Sequence, residues 1–204
     1  MTRLPALLTG ICLATLPAIA QMPTTPPGTS DTRRVVAGTY NVDPGHSQVT
    51  FTVNHLGFST YRGIFGDVTG SMTIDPRAPA KAKVSIDIPI KGVRTTSAKL
   101  DEHLLAADFF DAAKHPTAHF ESTSIRPSGK AARISGNLTI KGITKPVILD
   151  AVFVGAGTMM GKRTIGFDAT TTIKRSDFGV SYGIPLMPDA VPLQISVAFE
   201  KPEG

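Results

Sequence analysis

Five histidines, one serine between glycines and one glycine-rich basic turn are the residues of this chain whose types and spacing could do chemistry. Gly179-Val180-Ser181-Tyr182-Gly183 has the Gly-x-Ser-x-Gly spacing of a hydrolase nucleophile elbow. That motif needs a strand, a sharp turn, a helix and a later histidine. Pro185 and Pro188 preclude a regular helix, and no histidine follows His119, so the match is one of chance. His115 and His119 are four apart, a metal-gripping spacing on a helix. Pro116 biases His115 toward extended backbone, which would separate the two by about 13 Å along a strand. Glu102-His103 is not part of a His-Glu-x-x-His pair, and no His/Asp/Glu triple has zinc-site spacing. Gly157 to Lys162 departs from a phosphate loop, with Ala156 for the first glycine and Arg163 for the Ser/Thr, and reads as a hairpin turn. Asn137-Leu138-Thr139 fits the short glycosylation pattern, which is common by chance. The expectation is no catalytic constellation and no metal site.

The elements that would position these groups are mostly strands. Val49, Phe51, Val53 and His55 alternate with Gln48, Thr50, Thr52 and Asn54, a half-buried antiparallel pattern. The alternation returns around Ile64–Ile74, Val84–Ile88, Phe120–Ser122, Ile134–Ile140, Val147–Phe153, Ile165–Ile173 and Leu193–Phe199. Turn residues such as Asp75-Pro76, Pro127-Ser128-Gly129 and Lys141-Gly142 separate them. This predicts an all-β fold, an eight-stranded antiparallel barrel, with a two-sheet sandwich second. Gly66, Gly70, Gly136, Ala151 and Ala169 fall among large inward-facing residues, which either fit a taper or leave a tunnel. One amphipathic helix, over about residues 97–114, interrupts the strands. Leu100, His103, Leu104, Ala107 and Phe110 share its face, and it reads as a lid or plug. A second long insertion runs from Arg175 to Pro192.

Residues 1–20 carry one charge, Arg3, an apolar run to Leu16 and Ala18-Ile19-Ala20, the form of a secretory signal peptide. Cys12 lies inside it, so the mature chain would hold no thiol. Residues 21–37, rich in Pro and Thr, read as a flexible linker before a domain over 38–201. The formal charge of +5 comes from scattered basic residues without interleaved aromatics, which argues against nucleic-acid binding and leaves a weak attraction to anionic lipid surfaces. No second apolar run is long enough to span a membrane.

Several ordered segments resemble the YceI-like family: Tyr40-Asn-Val-Asp-Pro-Gly-His46-Ser47, Val53-Asn-His55-Leu-Gly-Phe-Ser59, Asp101-Glu-His103-Leu-Leu-Ala-Ala-Asp108, Gly136-Asn-Leu-Thr-Ile-Lys-Gly-Ile-Thr-Lys-Pro146 and Ile173-Lys-Arg-Ser-Asp-Phe-Gly179. The resemblance spans about Thr39 to Phe199. It implies a lipocalin-like barrel, export to the periplasm, and a polyisoprenoid such as a prenyl quinone or prenyl phosphate held inside, with no other cofactor. On that basis the tunnel wall is expected from Phe51, Val53, Val68, Ile86, Phe120, Leu138, Phe153, Phe167 and Val197. Leu104 belongs to a cluster that is core first and ligand wall second. His55, or a basic rim residue, would meet the head group, although a hydrogen-bonded core histidine is the plainer reading. Two rivals stay open: an enzyme on a small hydrophobic substrate using His46, His55, Asp43 or Asp108, and a filled barrel binding a protein partner near Phe58 or Phe65. Assembly as a homodimer is left open.

Overall fold

The computed structural model describes residues 24–202, so the expected signal peptide lies outside the described residues. Eleven strand segments form one closed antiparallel ring. β1 (Gly38–Val42) and β2 (Gln48–His55) both lie along the last strand, β11 (Ala190–Pro202), with Asn41 opposite Glu200 and Val49 opposite Ile195. β3 (Ser59–Phe65) pairs with β2 and β4 (Thr69–Ile74) with β1. β5 (Lys83–Pro89) pairs with β4, and the short β6 (Val93–Arg94) with β3. These six segments are three bent strands. With β7 (Thr117–Ser128), β8 (Ala131–Ile140), β9 (Ile143–Met159), β10 (Lys162–Lys174) and β11 they make the eight strands of a barrel, each paired to its sequence neighbour. The alternation identifies all eight; β1 is an addition to the first of them.

The bends have local causes. Between β1 and β2, Asp43 caps a short 3₁₀ turn at Pro44–His46. Ser47 Oγ replaces the missing ladder partner by accepting from Ala198 N (3.1 Å) and donating to its carbonyl (3.3 Å), which explains a buried serine. Between β3 and β4, Gly66 N donates to Gly92 O at 3.1 Å, and a Cβ on Gly92 would run into the Gly66 carbonyl. Only glycine fits so close an approach.

The helix is shorter than expected. α1 spans Ala98–Leu105, capped by Ser97, whose side chain accepts from Leu100 N. Ala106 is extended, and turns bring Phe110 N to Leu104 O and Asp111 N to Ala106 O, with Asp111 at φ +48°. A helix over 97–114 would place Phe109 some 140° around the axis from Leu104. The turn lets Leu104, Phe109 and Ala112 enter one buried cluster together. That cluster, with Phe65, Val93 and Val180, plugs one end of the barrel.

The segment expected to be a linker is packed from Thr29 onward. Thr29 bridges to Ala156 on β9, and Val35 is buried with Tyr40, Phe153 and Phe199 in a second cluster near the opposite end. The Arg175–Pro192 insertion is organised by its first residue. The Arg175 guanidinium, buried and without a direct carboxylate partner among the described residues, donates to the carbonyls of Val180 (3.1 Å), Tyr182 (2.7 Å), Met187 (3.2 Å) and Pro188 (2.9 Å). Burial lowers its pKa from the ordinary arginine value, with Asp189 opposing the shift.

Candidate functional site: an apolar cavity in the barrel

Inward-facing residues of β4, β5 and β7–β11 do not fill the barrel. They enclose a cavity of about 580 Å³. Large residues such as Phe120, Leu138, Phe153 and Phe167 share its wall with small ones: in the β9–β10 ladder Phe153 pairs with Phe167, and Ala151 with Ala169. Gly136 lies where a Cβ would strike the Phe120 ring, so the absence of a side chain there sets where that ring lies. At its open end the wall is made by exposed loops: Thr32 and Arg33 before β1, Pro76 and Arg77 between β4 and β5, Gly129 and Lys130 between β7 and β8.

The charged lining is of one sign. Arg33, Arg77 and Lys130 are cations, and among the described residues no carboxylate lines the cavity. Two of them are held by the same local device. In Asp31-Thr32-Arg33 and Asp75-Pro76-Arg77, the aspartate accepts from both the backbone N and the guanidinium of the arginine two residues on. These hydrogen bonds hold both carboxyls down at about 2. Lys130 Nζ donates to Ser30 Oγ (2.8 Å), joining the β7–β8 hairpin to the N-terminal segment.

Of the residues expected to line a tunnel, Val68, Ile86, Phe120, Leu138, Phe153, Phe167 and Val197 lie on the cavity wall. Phe51, Val53, His55 and Leu104 do not. Phe51 packs on Phe65 at 5.7 Å in the closed-end cluster, where Leu104 also lies. Beyond Phe51 the β2–β3 hairpin has left β11, so Val53 pairs only with Tyr61, and His55 is exposed at the hairpin end. His55 is therefore neither a core histidine nor a cavity residue. The acid–base candidates are likewise outside: His46 contacts Asp43 (2.6 Å) and His103 contacts Asp108 (2.7 Å) on the surface. The His103 hydrogen bond lowers the Asp108 pKa. His119 pairs with Asp87 (2.8 Å), and among the described residues no three His, Cys, Asp or Glu side chains cluster as metal ligands. Ser181 sits in a loop followed by turns, not a helix. The basic rim residues are Arg33, Arg77 and Lys130, and the repeated Asp-x-Arg spacing is the sequence signal for the two arginines.

Residues 40–199, nearly the whole barrel, match the YceI-like domain. The chain belongs to the YceI-like domain family. Protein YceI of Escherichia coli O157:H7 is 40% identical over 165 residues, covering 79% of this chain and 86% of that protein. Among solved structures, Burkholderia cenocepacia BcnA is similar with a TM-score of 0.67 and 25% identity, over 77% of this chain and 98% of that one. A polyisoprenoid binding domain from Saccharophagus degradans, described as implicated in plant cell wall breakdown, shares the fold with a TM-score of 0.64 at 14% identity, over 80% and 98%. Within this YceI-like fold no helix of the described residues is long and apolar enough to cross a membrane.

Proposed function

We propose that this YceI-like protein is exported to the periplasm and there holds the isoprenoid chain of a prenyl quinone or prenyl phosphate in its barrel, as a carrier or store without catalysing a reaction. The observation that carries this reading is the cavity of about 580 Å³, apolar along its length, plugged at one end and ringed by cations at the other. Such a site selects a long apolar chain with a polar or anionic end. Each methylene removed from water contributes about 0.8 kcal/mol, so retention depends on the number of carbons buried far more than on any one polar contact. The polyisoprenoid binding domain of the same fold supports the class of ligand. The enzyme reading gains nothing from the site, because His46, His55, Asp43 and Asp108 all lie away from the wall.

The test is native mass spectrometry of protein taken from its own periplasm without detergent, followed by organic extraction and lipid analysis. Co-purification of a prenyl lipid at near-stoichiometric occupancy is expected. Empty, folded protein that also refuses added prenyl quinone and prenyl phosphate would sink the carrier reading.

A further inference from the structure

The meander sorts the loops to two ends, and the ends differ in charge. At the open end, residues 29–38, 74–83, 126–131, 159–163 and 200–202 hold ten Lys and Arg against three Asp and Glu, a surplus of seven positive charges. The whole chain carries +5. At the plugged end, residues 55–59, 90–117, 140–143 and 174–190 hold seven Lys and Arg against six Asp and Glu. The excess is thus concentrated around the cavity mouth. Among the described residues, the three carboxylates of this end each engage one cation: Asp31 with Arg33, Asp75 with Arg77, and Glu200 with Lys162.

One loop of this end is apolar at its tip. The β9–β10 hairpin turns through Met160-Gly161, with Met160 at φ +51° and 91% exposed, and Met159 is exposed beside it. Positive φ is strained for a long side chain and suits Asn or Asp better. A methionine there sets an apolar group forward of Lys162 and Arg163 in a position water does not favour. Cations surrounding a protruding apolar tip match the interface of an anionic bilayer, where the charges meet head groups and the tip enters the acyl boundary.

We propose that the open end docks on an anionic lipid bilayer, the Met159-Met160 hairpin dipping into the interface so that the cavity mouth faces the membrane. The purpose of such docking, passage of a lipid between bilayer and barrel, rests on the carrier reading; the docking itself does not require a loaded ligand.

The experiment uses the chain from residue 21 on, which contains every described residue of the barrel, in flotation with vesicles of phosphatidylcholine alone or of equal parts phosphatidylcholine and phosphatidylglycerol. Binding is expected only to the mixed vesicles, and to fade as salt screens the charges. Lys81→Ala with Lys130→Ala should weaken it by about 25-fold, at about fivefold per cation near the surface. Met160→Ser should weaken it further. Phe58→Ser, which removes an 87% exposed ring at the plugged end, should leave it unchanged. Absence of binding, equal binding to both vesicles, or loss caused by Phe58→Ser instead would overturn the proposal. Protein that fails to dock yet takes up a prenyl lipid from detergent would remove the docking and leave the carrier reading intact.

Discussion

Enlarging the alanines that face each other across β9 and β10 separates a ligand cavity from a filled core by the sign of two effects. Ala151 and Ala169 are 4% and 8% exposed, sit opposite each other in register, and both point into the cavity. Ala169→Leu adds three carbons to a wall that faces open space. In a filled barrel, such an insertion forces side chains off their rotamers and costs about 1–3 kcal/mol. In this barrel the added carbons occupy the void, so the ligand-free protein should keep or gain stability. The same three carbons displace about three methylenes of a bound chain. At about 0.8 kcal/mol each that is about 2.4 kcal/mol, or about 60-fold in affinity. Ala151→Leu should behave alike, and the double variant should lose most binding. Two assays suffice: thermal unfolding of lipid-stripped protein, and retention of a fluorescent prenyl analogue. With 1 kcal/mol worth about 2–4 °C at this chain length, overpacking would lower Tm visibly. A fall in Tm of about 5 °C with unchanged retention would refute the cavity argument.

Arg175→Met should destabilise the fold by about 2–4 kcal/mol in denaturant titration, since four carbonyls lose a shared donor, three of them within reach of water. Gly136→Ala should push the Phe120 ring out of place, seen as lower Tm together with weaker retention of a prenyl analogue. The Asp31 and Asp75 carboxyls, held at about 2, favour the folded state above the unfolded carboxylate pKa near 3.9, and that contribution fades as pH falls through about 2. Carboxyl-carbon NMR should find both titrating late, and Arg77→Gln should return Asp75 toward its ordinary value. His55→Ala should leave prenyl retention unchanged, because the side chain is exposed and off the cavity wall; loss of retention with the fold intact would count against a tail-driven site.

The strand alternation was legible because one face of each strand meets the interior and the other meets water; Val84, Ile86 and Ile88 announce β5 from period alone. The small residues among large ones, Ala151 and Ala169 above all, were legible as a tunnel or a taper, and only the closure of the ring shows that this adjacent pair borders open space. What misled was continuity. Val53 and His55 continue the pattern of Val49 and Phe51, yet β11 stops pairing with β2 at Phe51, and nothing local marks where a partner strand departs. The helix ends before its periodicity predicts for a related reason. Phe109 and Phe110 supply apolar weight at near-helical spacing, while the need to bury Phe109 beside Leu104 is tertiary and overrides it. Val35 was lost inside a stretch whose prolines and threonines suggested solvent.

The first and last strands of the described residues are neighbours in the ring, with Val42 opposite Phe199, 157 positions apart in sequence. Until β11 is in place, β10 on one side and the β1/β2 strand on the other present unpaired backbone edges. Contacts this distant in sequence make folding slow, on the order of milliseconds to seconds. A chain lacking its final dozen residues would have no means of closing. A deletion that removes β11 should therefore yield an aggregating species, not a looser barrel, and the C-terminus, far from the sequence that begins the domain, acts as the commit step of its folding.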